Sequence, residues 1–113
     1  MEKLISWEVF EQVDLRVGTI LEVSDFPKAR RPAYQLLVDF GEEIGTRKSS
    51  AQITAHYSKE ELIGKQVVAV LNFPKKQIAN FMSECLVTGF EDENGDIILT
   101  SVERKVPNGA KLK

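Results

Sequence analysis

The sequence predicts an all-β (mainly β) fold: a small five-stranded Greek-key barrel with one short helix inserted between its third and fourth strands. Three observations predict it. Apolar residues alternate with a period of two along several short segments. A helix signal of barely more than one turn interrupts them at Ser58-Lys59-Glu60-Glu61. An Asn94-Gly95 hairpin signal separates the last two segments.

Residues 3–12 open the chain as a short helix, because Leu4, Ile5, Val9 and Phe10 recur at helical spacing and Ser6 can cap a turn. The period then falls to two. In the first strand, 14–23, Leu15, Val17, Leu21 and Val23 share a face, and Gly18 suits a bend or bulge. Tyr34, Leu36, Val38 and Phe40 alternate in the second strand. Residues 47–54 form a third, polar in its first half. The capping box follows, in which the Glu61 amide donates to the Ser58 hydroxyl and the Ser58 amide donates to the Glu61 carboxylate. Gly64 stands where a helix end wants a positive φ. The continuous apolar run Gln66–Leu71 reads as a strand buried on both faces. Residues 86–90 and 97–102 complete the set, joined by a type I′ turn at Asn94-Gly95. Three strands, a helix and two strands is the order of an oligonucleotide/oligosaccharide-binding (OB-fold) barrel, here with an N-terminal helix and a C-terminal extension. An SH3-like barrel or a small sandwich is the alternative, and neither requires a helix at that point.

The 113 residues, 42% hydrophobic and 28% charged, suit one domain, residues 1–113, with an ordinary core. No apolar stretch approaches the roughly 20 residues of a membrane span, so no membrane insertion is expected. The acidic start of the chain has no signal-peptide apolar region, and the lone Cys85 has no intramolecular partner. Both predict a reducing, cytoplasmic location. One Cys and one His are too few for a Cys/His zinc centre, and neither a metal nor a cofactor is expected. His56 has no metal or catalytic partner at motif spacing, Cys85 opens an apolar strand, and Gly64-Lys65 lacks the upstream glycine of a phosphate loop. With no carboxylate pair arranged for acid/base work, the chain is not expected to be an enzyme.

The net charge is only −2, yet its distribution is uneven. Lys28, Arg30 and Arg31 cluster between the first and second strands, and Lys75 and Lys76 follow the fourth. In an OB barrel these two connections flank one ligand groove, so the clusters should converge there, with Lys48 beside them. Cationic side chains release counterions from a phosphate backbone, and the nearby rings of Phe73, Phe81 and Tyr34 are candidate platforms for bases, unless they belong to the core. The acidic residues Glu91-Asp92-Glu93 and Glu60-Glu61 lie elsewhere.

Asp14-Leu15-Arg16-Val17-Gly18-Thr19-Ile20 resembles the opening strand of the tRNA-binding-domain family, which includes C-terminal domains of some methionyl-tRNA synthetases and structure-specific tRNA-binding proteins. Ser49–Thr54, Asn72–Ile78 and Phe81–Val87 are similar to segments of its export-related chaperone branch, and Pro107-Asn108-Gly109 to the family's Pro-x-Gly turn. The likeness spans about residues 6–112. It implies an OB barrel that forms a homodimer through its N-terminal helix and C-terminal segment. It implies tRNA as a partner and, for the chaperone branch, unfolded or preprotein polypeptides. Asn72, Lys76 and Ser83 match polar positions of the family's tRNA-contact motif. Gln77, Ile78 and Cys85-Leu86 depart from it, standing where tRNA binders carry a second cation, a Met and a Gly-Met pair.

Two functions are therefore expected, and they can coexist. For RNA, Lys28, Arg30, Arg31, Lys48, Lys75 and Lys76 would hold phosphates while Asn72 and Ser83 bond sugar or base edges. For polypeptides, Phe26, Phe73, Ile78, Phe81 and Met82 would line an apolar pocket rimmed by positive charge. A plain dimeric scaffold domain is the third possibility. Trp7, Val9 and Phe10 on the first helix exceed what one small barrel hides, which independently predicts a two-fold dimer.

Overall fold

The computed structural model describes residues 2–113; Met1 lies outside them. Its elements are α1 (Trp7–Glu11), β1 (Leu15–Asp25), β2 (Tyr34–Asp39), β3 (Thr46–Ala51), α2 (Lys59–Leu62), β4 (Gln66–Val70), β5 (Lys76–Ile78), β6 (Phe81–Ser83), β7 (Leu86–Val87), β8 (Gly89–Glu91) and β9 (Ile97–Leu99). A five-stranded antiparallel sheet runs in the order β3-β2-β1-β4-β7. It curls until β3 meets the segment before β7. There the Glu84 amide donates to Lys48 O at 2.7 Å and the Ser50 amide to Ser83 Oγ at 3.2 Å. These bonds satisfy the β3 edge, and the result is a nearly closed all-β barrel of OB type.

The barrel interior follows the predicted alternation in β2 and just past its end, where Leu36, Val38 and Phe40 are buried. Val67 and Ala69 join them from β4, Ala51 and Ile53 from β3 and its end, and Leu62 from α2. Leu62 is wholly inaccessible, so α2 plugs the barrel through one side chain. Its capping box forms as expected, and Gly64 adopts φ +89° to turn the chain back, donating to Ile20 O at 2.8 Å.

Five expectations need correction. The first helix is shorter than 3–12 because Ser6 is its N-cap, accepting from the Val9 amide; Leu4 and Ile5 precede it and are exposed. In β1 the register shifts between Ile20 and Glu22, so Leu15, Val17, Leu21 and Val23 do not share a face. Ile20 is buried and Val23 packs on the core, while Leu21 is exposed. Gly18 is not the bulge; a Cβ there would sit 2.7 Å from the Phe40 ring and from Val38, so the missing side chain makes room for both. The strands expected at 86–90 and 97–102 are broken into β7, β8 and β9. The turn between them is not type I′, since only Gly95 has a positive φ, at +83°. Asp92 N donates to Asp96 O and Gly95 N to Asp92 O, a three-residue hairpin ending in a left-handed glycine.

The C-terminal segment is also part of the barrel wall. Beyond β2, the β1 edge is taken by residues 109–112: the Gly109 and Leu112 amides donate to Val17 O and Leu15 O, and the Val17 amide to Ala110 O. Arg16 Nη1 donates to Gly109 O at 2.9 Å, and Thr19 Oγ1 to Asn108 Oδ1 at 2.7 Å.

Candidate nucleic-acid interface

The β1–β2 connection is pinned at its ends and free in its middle. Phe26 and Ala33 are buried, while Lys28, Arg30 and Arg31 between them are exposed. The partner of those two buried side chains is a hairpin that the sequence did not reveal. β5 and β6 pair Lys76 with Ser83, Gln77 with Met82 and Ile78 with Phe81, around Ala79 at φ +51°. A left-handed alanine carries no turn signature, which is why this stretch reads as a plain loop. Ile78 and Phe81 pack with Phe26, Ala29 and Ala33 into a small second core, separate from the barrel interior. Two distant segments, each carrying cations, thus rest against one another.

Lys48 extends the same region from β3. Its Nζ stands 5.4 Å from the centroid of the Phe81 ring, within cation–π range. Lys75 and Lys76 are exposed on the approach to β5. Lys75 Nζ lies 3.7 Å from Glu84 Oε2, whereas Lys76 has no ion-pair partner among the described residues. A cleft of about 390 Å³ opens beside the hairpin, lined by Ser50, Phe73, Lys76, Ile78, Ser83 and Leu86 among others.

The remaining expected contact residues divide by burial. Phe26 and Phe81 are interior to the second core, so the apolar surface on offer belongs to Phe73, 54% exposed, and Met82, 36% exposed, with Ile78 half-buried. Asn72 uses both ends of its carboxamide on the backbone: Asp14 N donates to its Oδ1 at 2.9 Å, and its Nδ2 donates to Gln12 O. It ties the segment after α1 to the end of β4. Ser83 accepts from Ser50 N and its hydroxyl donates to Cys85 O, inside the barrel seam. Sequence reasoning passed over Glu84, which sits in that seam with Oε1 accepting from the Lys48 amide at 2.9 Å. A lone acidic residue gives no pattern to find it by.

Cys85 is buried against this seam, and burial pushes its thiol up to about 11. On another part of the molecule His56 Nε2 and Asp92 Oδ2 are 2.7 Å apart. Their ligand atoms and those of Asp96 lie within 4.8 Å of one another. Asp92 also accepts from the Asn94 and Asp96 amides, so this group already closes the β8–β9 turn onto residue 56.

Comparison with known proteins fits this geometry. The tRNA binding domain family matches residues 15–111. The chain belongs to that family. The methionine–tRNA ligase of Methanocaldococcus jannaschii is 32% identical over 103 residues, 91% of this chain and 15% of the ligase. That of Chlorobium phaeobacteroides is 37% identical over 110 residues, 97% of this chain and 15% of the ligase. The chain therefore spans about one-seventh of the length of these curated relatives. Among solved structures, chaperone CsaA of Bacillus anthracis is similar with a TM-score of 0.91 and 47% identity, covering 98% of this chain and all of that one. The CsaA chaperone of Picrophilus torridus has a TM-score of 0.89 and 49% identity, covering 97% of this chain and 100% of that one. This member of the tRNA binding domain family is thus CsaA-like along its whole length. No described helix is long and apolar enough to cross a membrane.

Proposed function

We propose that this chain is a non-enzymatic, cytoplasmic binding module that holds tRNA on the face formed by the β1–β2 loop, the β5–β6 hairpin and Lys48. The observation that carries this reading is the second core, where Phe26, Phe81 and Ile78 hold the two cation-bearing segments together. Lys28, Arg30, Arg31, Lys48, Lys75 and Lys76 neutralise phosphates, and Phe73 presents a ring on which an unstacked base can lie. Asn72 and Ser83 act by holding the backbone that carries these groups. Fluorescence anisotropy with labelled tRNA over a series of salt concentrations tests this. Salt-sensitive binding that is lost on charge reversal at both Arg30-Arg31 and Lys75-Lys76 is expected; binding indifferent to both reversals overturns it.

A second role rests on a specific observation. Phe73 and Met82 leave apolar surface exposed beside the same cations, and the chain is similar throughout to proteins named as chaperones. We propose that unfolded or preprotein polypeptides bind there, in the manner of an ATP-independent export chaperone. Suppression of aggregation of a denatured client at stoichiometric protein tests it. The working form is a homodimer. An apolar groove of about 540 Å³ lined by Leu15, Val17, Val68, Phe90, Val102 and Leu112 supports this, as do exposed Trp7 and Val9.

A further inference from the structure

Glu84 places a carboxylate between the Lys48 backbone and the Lys75 side chain, and it is fixed there. Its Oε1 accepts from the Lys48 amide at 2.9 Å, while its own amide donates to Lys48 O at 2.7 Å. The side chain cannot swing out without stripping a partner from the β3 edge. Its other oxygen, Oε2, faces Lys75 Nζ at 3.7 Å. The two partners are unequal: the Glu84 side chain is 22% exposed and that of Lys75 65%. Lys75 is the more exposed member, and a phosphate arriving at it meets a carboxylate held by the Lys48 amide.

We propose that Glu84 is a fixed internal competitor for phosphate at Lys75, and so caps the affinity of this face for nucleic acid. The inference rests on the tRNA-binding reading above. An ion pair this exposed is weak, so Glu84 attenuates binding and does not block it. The consequence is division of labour between neighbouring lysines. Lys76, with no carboxylate partner among the described residues, holds phosphate outright. Lys75 contributes only what remains after Glu84 has been displaced. A face of limited phosphate affinity also releases tRNA readily, leaving the apolar surface of Phe73 and Met82 open to other ligands.

The test is Glu84→Gln, whose amide oxygen still accepts from the Lys48 N–H while its charge is gone. Unfractionated tRNA with a fluorescent 3′ end is titrated by anisotropy over a series of NaCl concentrations. The variant is expected to bind about two- to fivefold tighter. Its log–log salt slope is expected to steepen by less than one unit, because Lys75 then engages phosphate more fully. In a Lys75→Gln background, Glu84→Gln brings no gain. Lys75→Gln alone weakens binding less than Lys76→Gln, a comparison that holds even if the Glu84 variant folds poorly. Unchanged or weaker binding at an unchanged melting temperature overturns the inference. So does a gain that persists without Lys75, or equal losses from the two lysine variants. Wild-type protein with no salt-dependent tRNA binding sinks the functional reading itself, and this inference with it.

Discussion

Phe26 and Phe81 lie with ring centroids 5.5 Å apart and planes tilted by 59°. Phe26 opens the β1–β2 loop and Phe81 begins β6, so this contact fixes the spacing between two cationic segments. Phe81→Ala is expected to cost about 3 kcal/mol, at the low end for a buried phenylalanine because the second core is small. It is also expected to weaken tRNA binding although no charge is removed. Urea unfolding gives the first number and anisotropy the second. A destabilised variant with full tRNA affinity would show that the segments bind independently.

Asn72 was expected to touch RNA, yet its carboxamide is engaged by Asp14 N and Gln12 O. Asn72→Ala is therefore expected to lower stability by about 1 kcal/mol, the usual scale for a lost pair of partly solvated bonds. The Asp14 amide should exchange with solvent faster. At a temperature where the variant is folded, tRNA affinity should change little. A large loss of affinity with unchanged stability would instead make Asn72 a contact residue.

The same contrast marks what the sequence could and could not disclose. Period-two alternation located β2, and the apolar run located β4, because both strands lie in the barrel wall where burial dictates residue type. The capping box placed α2, since its two bonds are local. The β1 face escaped because a bulge between Ile20 and Glu22 flips parity without any glycine or proline to mark it. The β5–β6 hairpin escaped because its turn uses Ala79 and its packing partner is Phe26, far away in the chain. Cationic clusters were legible as composition. Which of those cations carries an anionic neighbour was not, because Glu84 comes opposite Lys75 only through the register of the β5–β6 hairpin, which pairs Lys76 with Ser83.

Cys85 should behave as an inert core thiol. Burial is the main cause that raises it to about 11, with Arg47 acting in the opposite direction. An aromatic disulfide reagent at mildly alkaline pH is expected to label it slowly in the native protein and at once in urea. The linkage sign follows from the raised value. The contribution is complete below the ordinary thiol value of 9.0 and is lost as pH rises from there through about 11. Cys85→Ala should accordingly show a smaller alkaline decline in melting temperature than the wild type.

Asp92 is held below the ordinary carboxylate value of 3.8, first by the hydrogen bond from His56 and then by the Asp96 amide. A lowered carboxylate stabilises the fold above its unfolded value, and the contribution disappears as pH falls through the native one. A carbon-13 titration of the side-chain carboxyl should give a midpoint below 3.8 in the wild type. His56→Ala should move that midpoint upward, with the backbone donors keeping part of the shift. A midpoint indifferent to His56 would assign the effect to the turn amides alone.

The apolar groove makes the strongest demand on solution behaviour. Phe90 is 73% exposed on β8, and Leu112 is 48% exposed on the tail that completes the β1 edge. Trp7 packs against Phe10 with ring centroids 5.3 Å apart and planes tilted by 46°, yet α1 buries none of its residues. Surfaces of this kind on a small barrel call for a partner, and a second copy supplies the same apolar chemistry. A stable homodimer buries about 1,200–2,000 Å² in total. Sedimentation equilibrium at micromolar concentration is expected to return a dimer. Phe90→Ser should shift it toward monomer while leaving the far-ultraviolet circular dichroism unchanged, because Phe90 lies outside both cores. A wild-type protein that sediments as a monomer throughout that range would leave the groove to some other ligand and remove the dimer from the functional account.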